Sequence, residues 1–81
     1  MADTQQFAET IDAAGLRCPE PVMMLHAAIR RVAPGDLLQL IATDPSTQRD
    51  VSNFCRFLPH ELLSSEASED RYVYVVRKGA A

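Results

Sequence analysis

The sequence predicts an α+β fold. It is a two-layer α/β sandwich in the order β-α-β-α-β-β, with a four-stranded mixed sheet and both helices on one face. Three observations predict it. Val22, Leu25, Ile29 and Val32 recur at helical spacing and form a core-facing stripe. Leu37 to Ala42 and Tyr72 to Val76 are apolar, β-branched or aromatic, as buried strands are. Right-handed crossovers between the strands then bring both helices to the same side of the sheet.

The elements follow in order. Met1 to Gln6 is polar and reads as a flexible lead-in, and residues 7–79 as one domain. Phe7 to Ala13 alternates loosely, with Phe7 and Ile11 on one side and Thr10 and Asp12 on the other, which predicts a first strand. Gly15 to Glu20 is a loop. The first helix runs from Pro21 to Val32, with Glu20 as its cap, and Ala33-Pro34-Gly35-Asp36 turns the chain into the strand Leu37 to Ala42. Asp44-Pro45 reads as an N-cap followed by proline in the first helical position. The second helix extends to Leu58, with Thr47, Val51, Phe54, Cys55 and Leu58 on one face. His60 to Glu66 is the third strand, Glu69-Asp70 a turn, and Tyr72 to Val76 the fourth strand.

The totals limit the function. Eighty-one residues bury only about 60–65% of the surface of the unfolded chain, so the core is thin and leaves little room for an enclosed cofactor. Net charge is −3, with one lysine and scattered arginines, so the basic face of a nucleic-acid binder is missing. No apolar run is long enough for a bilayer and no cleavable leader is visible, which predicts a cytoplasmic protein with no membrane partner. Both cysteines are then expected to stay reduced. Cys18, Cys55, His26 and His60 lack the short ligand spacing of zinc sites, so no metal is expected. No Ser/His/Asp set and no phosphate loop is visible.

Cys18 is the one candidate catalytic residue. It lies in Gly15-Leu16-Arg17-Cys18-Pro19-Glu20-Pro21, with Arg17, Pro19, Glu20 and Pro21 as its supporting residues. The prolines favour an extended chain before each of them. Cys18 then sits just off the start of the first helix, near its partial positive charge and beside the Arg17 cation. Glu20 and the two missing proline amides oppose that effect. A moderately lowered thiol pKa is expected, which suits an attacking sulfur. The plain alternative is a small apolar residue in a turn. Cys55, on the apolar stripe, reads as an inert packing residue. Met23, His26, Ala27 and Arg30 share the outer face of the first helix. They read equally as a partner-docking stripe or as an ordinary solvated face, with His26 a surface histidine.

The run Gly15-Leu16-Arg17-Cys18-Pro19-Glu20-Pro21-Val22-Met23 resembles the signature of the TusA/SirA-like family of sulfur carriers. The resemblance extends from about Ile11 to Gly79. It takes in Pro34-Gly35, Asp44-Pro45, Arg49-Asp50, Phe54-Cys55, His60-Glu61-Leu62 and Arg77-Lys78-Gly79. It implies a fold like the C-terminal domain of translation initiation factor three, and a covalent persulfide on Cys18 in place of any cofactor. It also implies a PLP-dependent cysteine desulfurase as donor and a downstream relay protein as acceptor, for 2-thiolation of wobble uridine in tRNA. Family members are tied as well to molybdenum-cofactor assembly and to sulfur oxidation. A monomer suits such a shuttle. His26, in an otherwise basic neighbourhood, departs from the family pattern and leaves partner preference open.

Three other classes compete. A redox-sensing module would oxidise Cys18 as a signal, but no resolving cysteine lies near it in sequence. An RNA-binding domain would share the architecture, since fold does not fix function, but the acidic balance opposes it. A thiocarboxylate carrier would end in Gly-Gly, and this chain ends in Ala80-Ala81.

Overall fold

A computed structural model describes residues 7–79; the expected lead-in at residues 1–6 lies outside them. The elements are β1 (Glu9–Ala13), α1 (Glu20–Ile29), β2 (Leu37–Ala42), α2 (Thr47–Phe57), β3 (Glu61–Ser68) and β4 (Arg71–Arg77). They form one four-stranded mixed sheet in the order β1-β2-β4-β3. β1 runs parallel to β2, while β4 lies antiparallel to both β2 and β3.

Strand alternation sets the core. Leu38, Leu40 and Ala42 of β2 are fully buried. Cross-strand register aligns Ile11, Leu40 and Tyr74 in one row, and Leu38, Val76 and Leu62 in another. Leu25, Ala28 and Ile29 of α1, with Val51 and Phe54 of α2, join these strand residues in a single cluster. A period of two on the strands and 3.6 on the helices thus converges on one apolar layer.

Element ends differ from the sequence reading, each for a local reason. β1 begins at Glu9 instead of Phe7, although the Ala8 amide still donates to the Leu37 carbonyl at 2.8 Å. α1 starts at Glu20, with Pro19 in the cap position and no side-chain cap, so Glu20 is inside the helix and does not cap it. It stops at Ile29 because the chain is drawn into a turn closed by Asp36, whose carboxylate accepts the Ala33 amide at 2.9 Å. α2 starts at Thr47 after a tight turn through Pro45 and Ser46. β3 runs on to Ser68, paired with Arg71 across the two-residue Glu69-Asp70 turn. A register shift between Leu62 and Ser64 leaves Leu63 partly exposed.

Candidate functional site

Cys18 sits in the loop between β1 and α1, exposed and unpaired. Three contacts fix that loop. The Ala14 amide donates to Asp12 Oδ1 at 3.1 Å, and the Gly15 amide to Thr43 Oγ1 at 2.9 Å. Gly15 has φ of +84°, a left-handed conformation that glycine adopts without steric cost. The Cys18 amide donates to Asp44 Oδ2 at 2.7 Å, a short, charge-assisted bond.

The other oxygen of the same carboxylate, Asp44 Oδ1, accepts the Ser46 amide at 3.0 Å. Asp44 therefore ties the thiol loop to the start of α2. Thr47 locks the arrangement from beneath. Its buried hydroxyl donates to the Asp44 carbonyl at 2.7 Å and pairs with Tyr74 Oη at 2.8 Å. The single Thr47 proton goes to the carbonyl, so Tyr74 donates in the second bond.

This placement corrects the expected electrostatics. The Cys18 thiol faces the first turn of α2, and its pKa is raised, not lowered. A hydrogen bond to the Asp50 carboxylate is the largest cause, followed by desolvation and the Asp50 charge. The Ser46 hydroxyl opposes them, and the Asp44 charge adds to them. Ser46 Oγ is itself buried and has no hydrogen-bond partner among the described residues. The nearest full charges are thus anionic, and they outweigh the partial charge of the α1 terminus. Arg17 acts on the Asp44 carboxyl instead. That group is held below the usual carboxylate range, chiefly by the Cys18 and Ser46 amides and with a smaller contribution from Arg17.

The other predicted site residues fall as follows. Pro19 accepts the Met23 amide at its carbonyl at 3.0 Å, and Pro21 is buried in the first turn of α1. Arg17 and Glu20 are exposed beside Cys18, and the Glu20 amide donates to the Arg17 carbonyl at 2.8 Å. Met23, His26, Ala27 and Arg30 are all exposed, but they border different clefts. Met23 and Ala27 line a shallow hollow with Leu16 and Glu20. His26 lines an open groove between the helices with Val22, Asp50, Phe54 and Phe57. Its ring meets Phe54 edge-on at 4.6 Å, so it is more than a solvated side chain. Cys55 is half-buried, and burial pushes its thiol up to about 11.

Asp44, Ser46 and Asp50 were not singled out from sequence as partners of Cys18. The signal lay in the topology. Parallel neighbours β1 and β2 end at the same edge of the sheet, so the loops after them must lie side by side. In open α/β sheets that edge is where sites form.

The profile of the family described as "Sulfurtransferase TusA" matches residues 9–78. The chain belongs to the TusA family. Sulfur carrier protein TusA of Pseudomonas aeruginosa strain PAO1 is 57% identical over 77 residues, covering 95% of this chain and 98% of the relative. Sulfur carrier protein TusA of Pseudomonas putida strain W619 is 57% identical over 70 residues, covering 86% of this chain and 88% of the relative. That of Pseudomonas fluorescens strain SBW25 is 56% identical over 71 residues, covering 88% and 86%. The TusA match spans every element from β1 to β4 and so includes both loops at the thiol. Among the described residues no helix is long and apolar enough to cross a membrane. Among them, too, no group of three His, Cys, Asp or Glu side chains could hold a metal ion.

Proposed function

We propose that this protein is a cytoplasmic sulfur carrier that bears a persulfide on Cys18. It accepts sulfur from a cysteine desulfurase and passes it to a relay protein, and the relay ends in 2-thiolation of the wobble uridine of tRNA. The observation that carries the reading is an exposed thiol on a loop anchored through its own amide, in a chain of the TusA family. The relatives' name, sulfur carrier protein, supports the same role.

The chemistry is thiol exchange. The Cys18 thiolate attacks the outer sulfur of the donor's persulfide. A bond forms from Cys18 Sγ to that sulfur, the donor's S–S bond breaks, and the donor cysteine leaves as a thiolate. The proton on the outer sulfur stays with it, and no oxidant is consumed. In the second exchange an acceptor thiolate attacks the same outer sulfur and Cys18 leaves. Each step needs exposure and docking and no enclosed pocket. A monomer that moves between partners meets these needs. Arg17, Pro19, Glu20 and Pro21 shape the presenting loop, and Met23, His26, Ala27 and Arg30 form part of the surface offered to partners.

Intact-mass analysis tests the carrier role. After incubation with a cysteine desulfurase and cysteine, the wild-type protein gains one sulfur atom. Cys18→Ser gains none, and Cys55→Ser gains it as wild type does. Sulfur retained on Cys18→Ser would move the carrier site to Cys55. The tRNA limb is read in nucleosides from a deletion strain, where loss of the 2-thio modification is expected. Normal 2-thiouridine there rules out that destination.

A further inference from the structure

We infer that Asp44 is a positioning residue for sulfur transfer, its two carboxylate oxygens fixing the Cys18 loop to the first turn of α2 so that the sulfur is presented in one orientation. The inference rests on the carrier reading and adds a residue to it.

Three observations carry it. Asp44 Oδ2 accepts the Cys18 amide at 2.7 Å while Asp44 Oδ1 accepts the Ser46 amide at 3.0 Å. One planar group thus sets the distance between two segments that are 26 residues apart in sequence. The carboxylate is in turn held by its own backbone, since the Asp44 carbonyl takes both the Thr47 amide at 3.0 Å and the Thr47 hydroxyl at 2.7 Å. Thr47 is 1% exposed, so the foundation is the core itself. Lastly, after the Gly15 amide's bond to Thr43, the stretch from Cys18 to Pro21 has no second anchor of this kind: Pro19 and Pro21 carry no amide hydrogen, and the Glu20 amide bonds within the loop to Arg17. The Cys18 amide is the donor that links this stretch to the β2–α2 turn.

A transferring sulfur must meet its attacker in line, and a misplacement of about 1 Å can cost two orders of magnitude in rate. A loop released from Asp44 remains exposed, and so it remains reactive toward small molecules. Only transfer within a docked pair requires the orientation. This gives the two readouts opposite signs.

The variants are Asp44→Ala, which removes both acceptors, and Asp44→Asn, which keeps one. Ile29→Val, in the core at the far end of α1, serves as a control for a general loss of stability. Each is tested for the rate of sulfur loading at saturating desulfurase and for the rate of alkylation by iodoacetamide across pH. For Asp44→Ala we expect loading to fall at least about tenfold in kcat. Alkylation at neutral pH should rise, because an anion has left the vicinity of the thiol. Asp44→Asn should fall between Asp44→Ala and wild type in loading and match Asp44→Ala in alkylation, and Ile29→Val should match wild type in both assays. A change confined to charge would speed both reactions. A loss of fold would slow loading in Ile29→Val as well. Either result, or wild-type loading by Asp44→Ala and Asp44→Asn, overturns the positioning role. Alkylation needs no desulfurase, so alkylation that falls in step with loading in both variants also overturns it, because the loss would then lie in the thiol and not in its orientation. Failure of the wild type to load would instead count against the carrier reading.

Discussion

Cys18 carries a thiol that its neighbours keep protonated. Interaction with the Asp50 carboxylate is the largest cause and the Asp44 charge adds to it, so the pKa lies above the ordinary value and the thiolate fraction at neutral pH is small. Removing the largest cause should reverse the shift. Asp50→Asn is expected to lower the pKa of Cys18, since the carboxylate that favours the neutral thiol is gone. Alkylation by iodoacetamide at pH 7 should then run several-fold faster than in wild type, with the midpoint of its pH profile moved to lower pH. An unchanged midpoint would remove Asp50 from the account. The same arrangement bears on function. A resting thiol is a poor target for stray oxidants.

At the scale of elements, the β2–α2 junction supports the site. Thr47 Oγ1, Tyr74 Oη and the Asp44 carbonyl form a chain of bonds linking α2, β4 and the turn between them. Tyr74→Phe deletes the one donor that Thr47 Oγ1 accepts and leaves a buried acceptor half-satisfied. The expected cost is about 1 kcal/mol, read as a lower midpoint in urea with unchanged m-value. A neutral result would mean that the Thr47–Tyr74 pair is dispensable. This junction also marks where the sequence was legible and where it was not. Spacing alone identified Leu25 and Ile29 of the α1 core face, with Val22 and Val32 packed at its margin and the buried Ala28 missed, and β2 matched its predicted range, because both are set by burial on one face. Helix ends were misplaced by one to three residues, since they depend on side chains such as Asp36 that reach across a turn. Cys18 was evident from its own loop. Its electrostatic partners lay 26 or more residues away and were visible only once β1 and β2 were placed side by side, so the helix terminus and Arg17 received weight that belonged to Asp50.

For the molecule as a whole, the thin core makes stability sensitive to pH from both sides. On the acid side the relevant group is His60, whose ring stacks on Phe54 at 5.5 Å and whose Nδ1 accepts the Gly79 amide at 3.0 Å. Its pKa is lowered, first by burial, then by Lys78 and His26. The unfolded chain therefore takes the proton first, and the stability present above 6.5 is lost as pH falls through the lower folded value. Protonated Nδ1 can no longer accept from Gly79, so the contact between the β3 entrance and the residues after β4 goes with it. On the alkaline side the sign reverses. Burial raises Cys55 from its ordinary 9.0 to about 11, so its contribution is intact below 9.0 and disappears as pH rises toward 11. The urea midpoint should accordingly be highest between about pH 6.5 and 9 and decline on both sides. Cys55→Ala should lessen the alkaline decline, whose remainder belongs to the raised Cys18 and Tyr74, while leaving the acid decline unchanged, and His60→Gln should lessen the first part of the acid decline, whose remainder belongs to the lowered Asp44 and Glu9. Each variant removes one titrating group, so equal alkaline slopes in wild type and Cys55→Ala would exclude the half-buried thiol as the cause. For a chain of 81 residues, total stability is of the order of 4–12 kcal/mol, so shifts at single groups are visible against the whole.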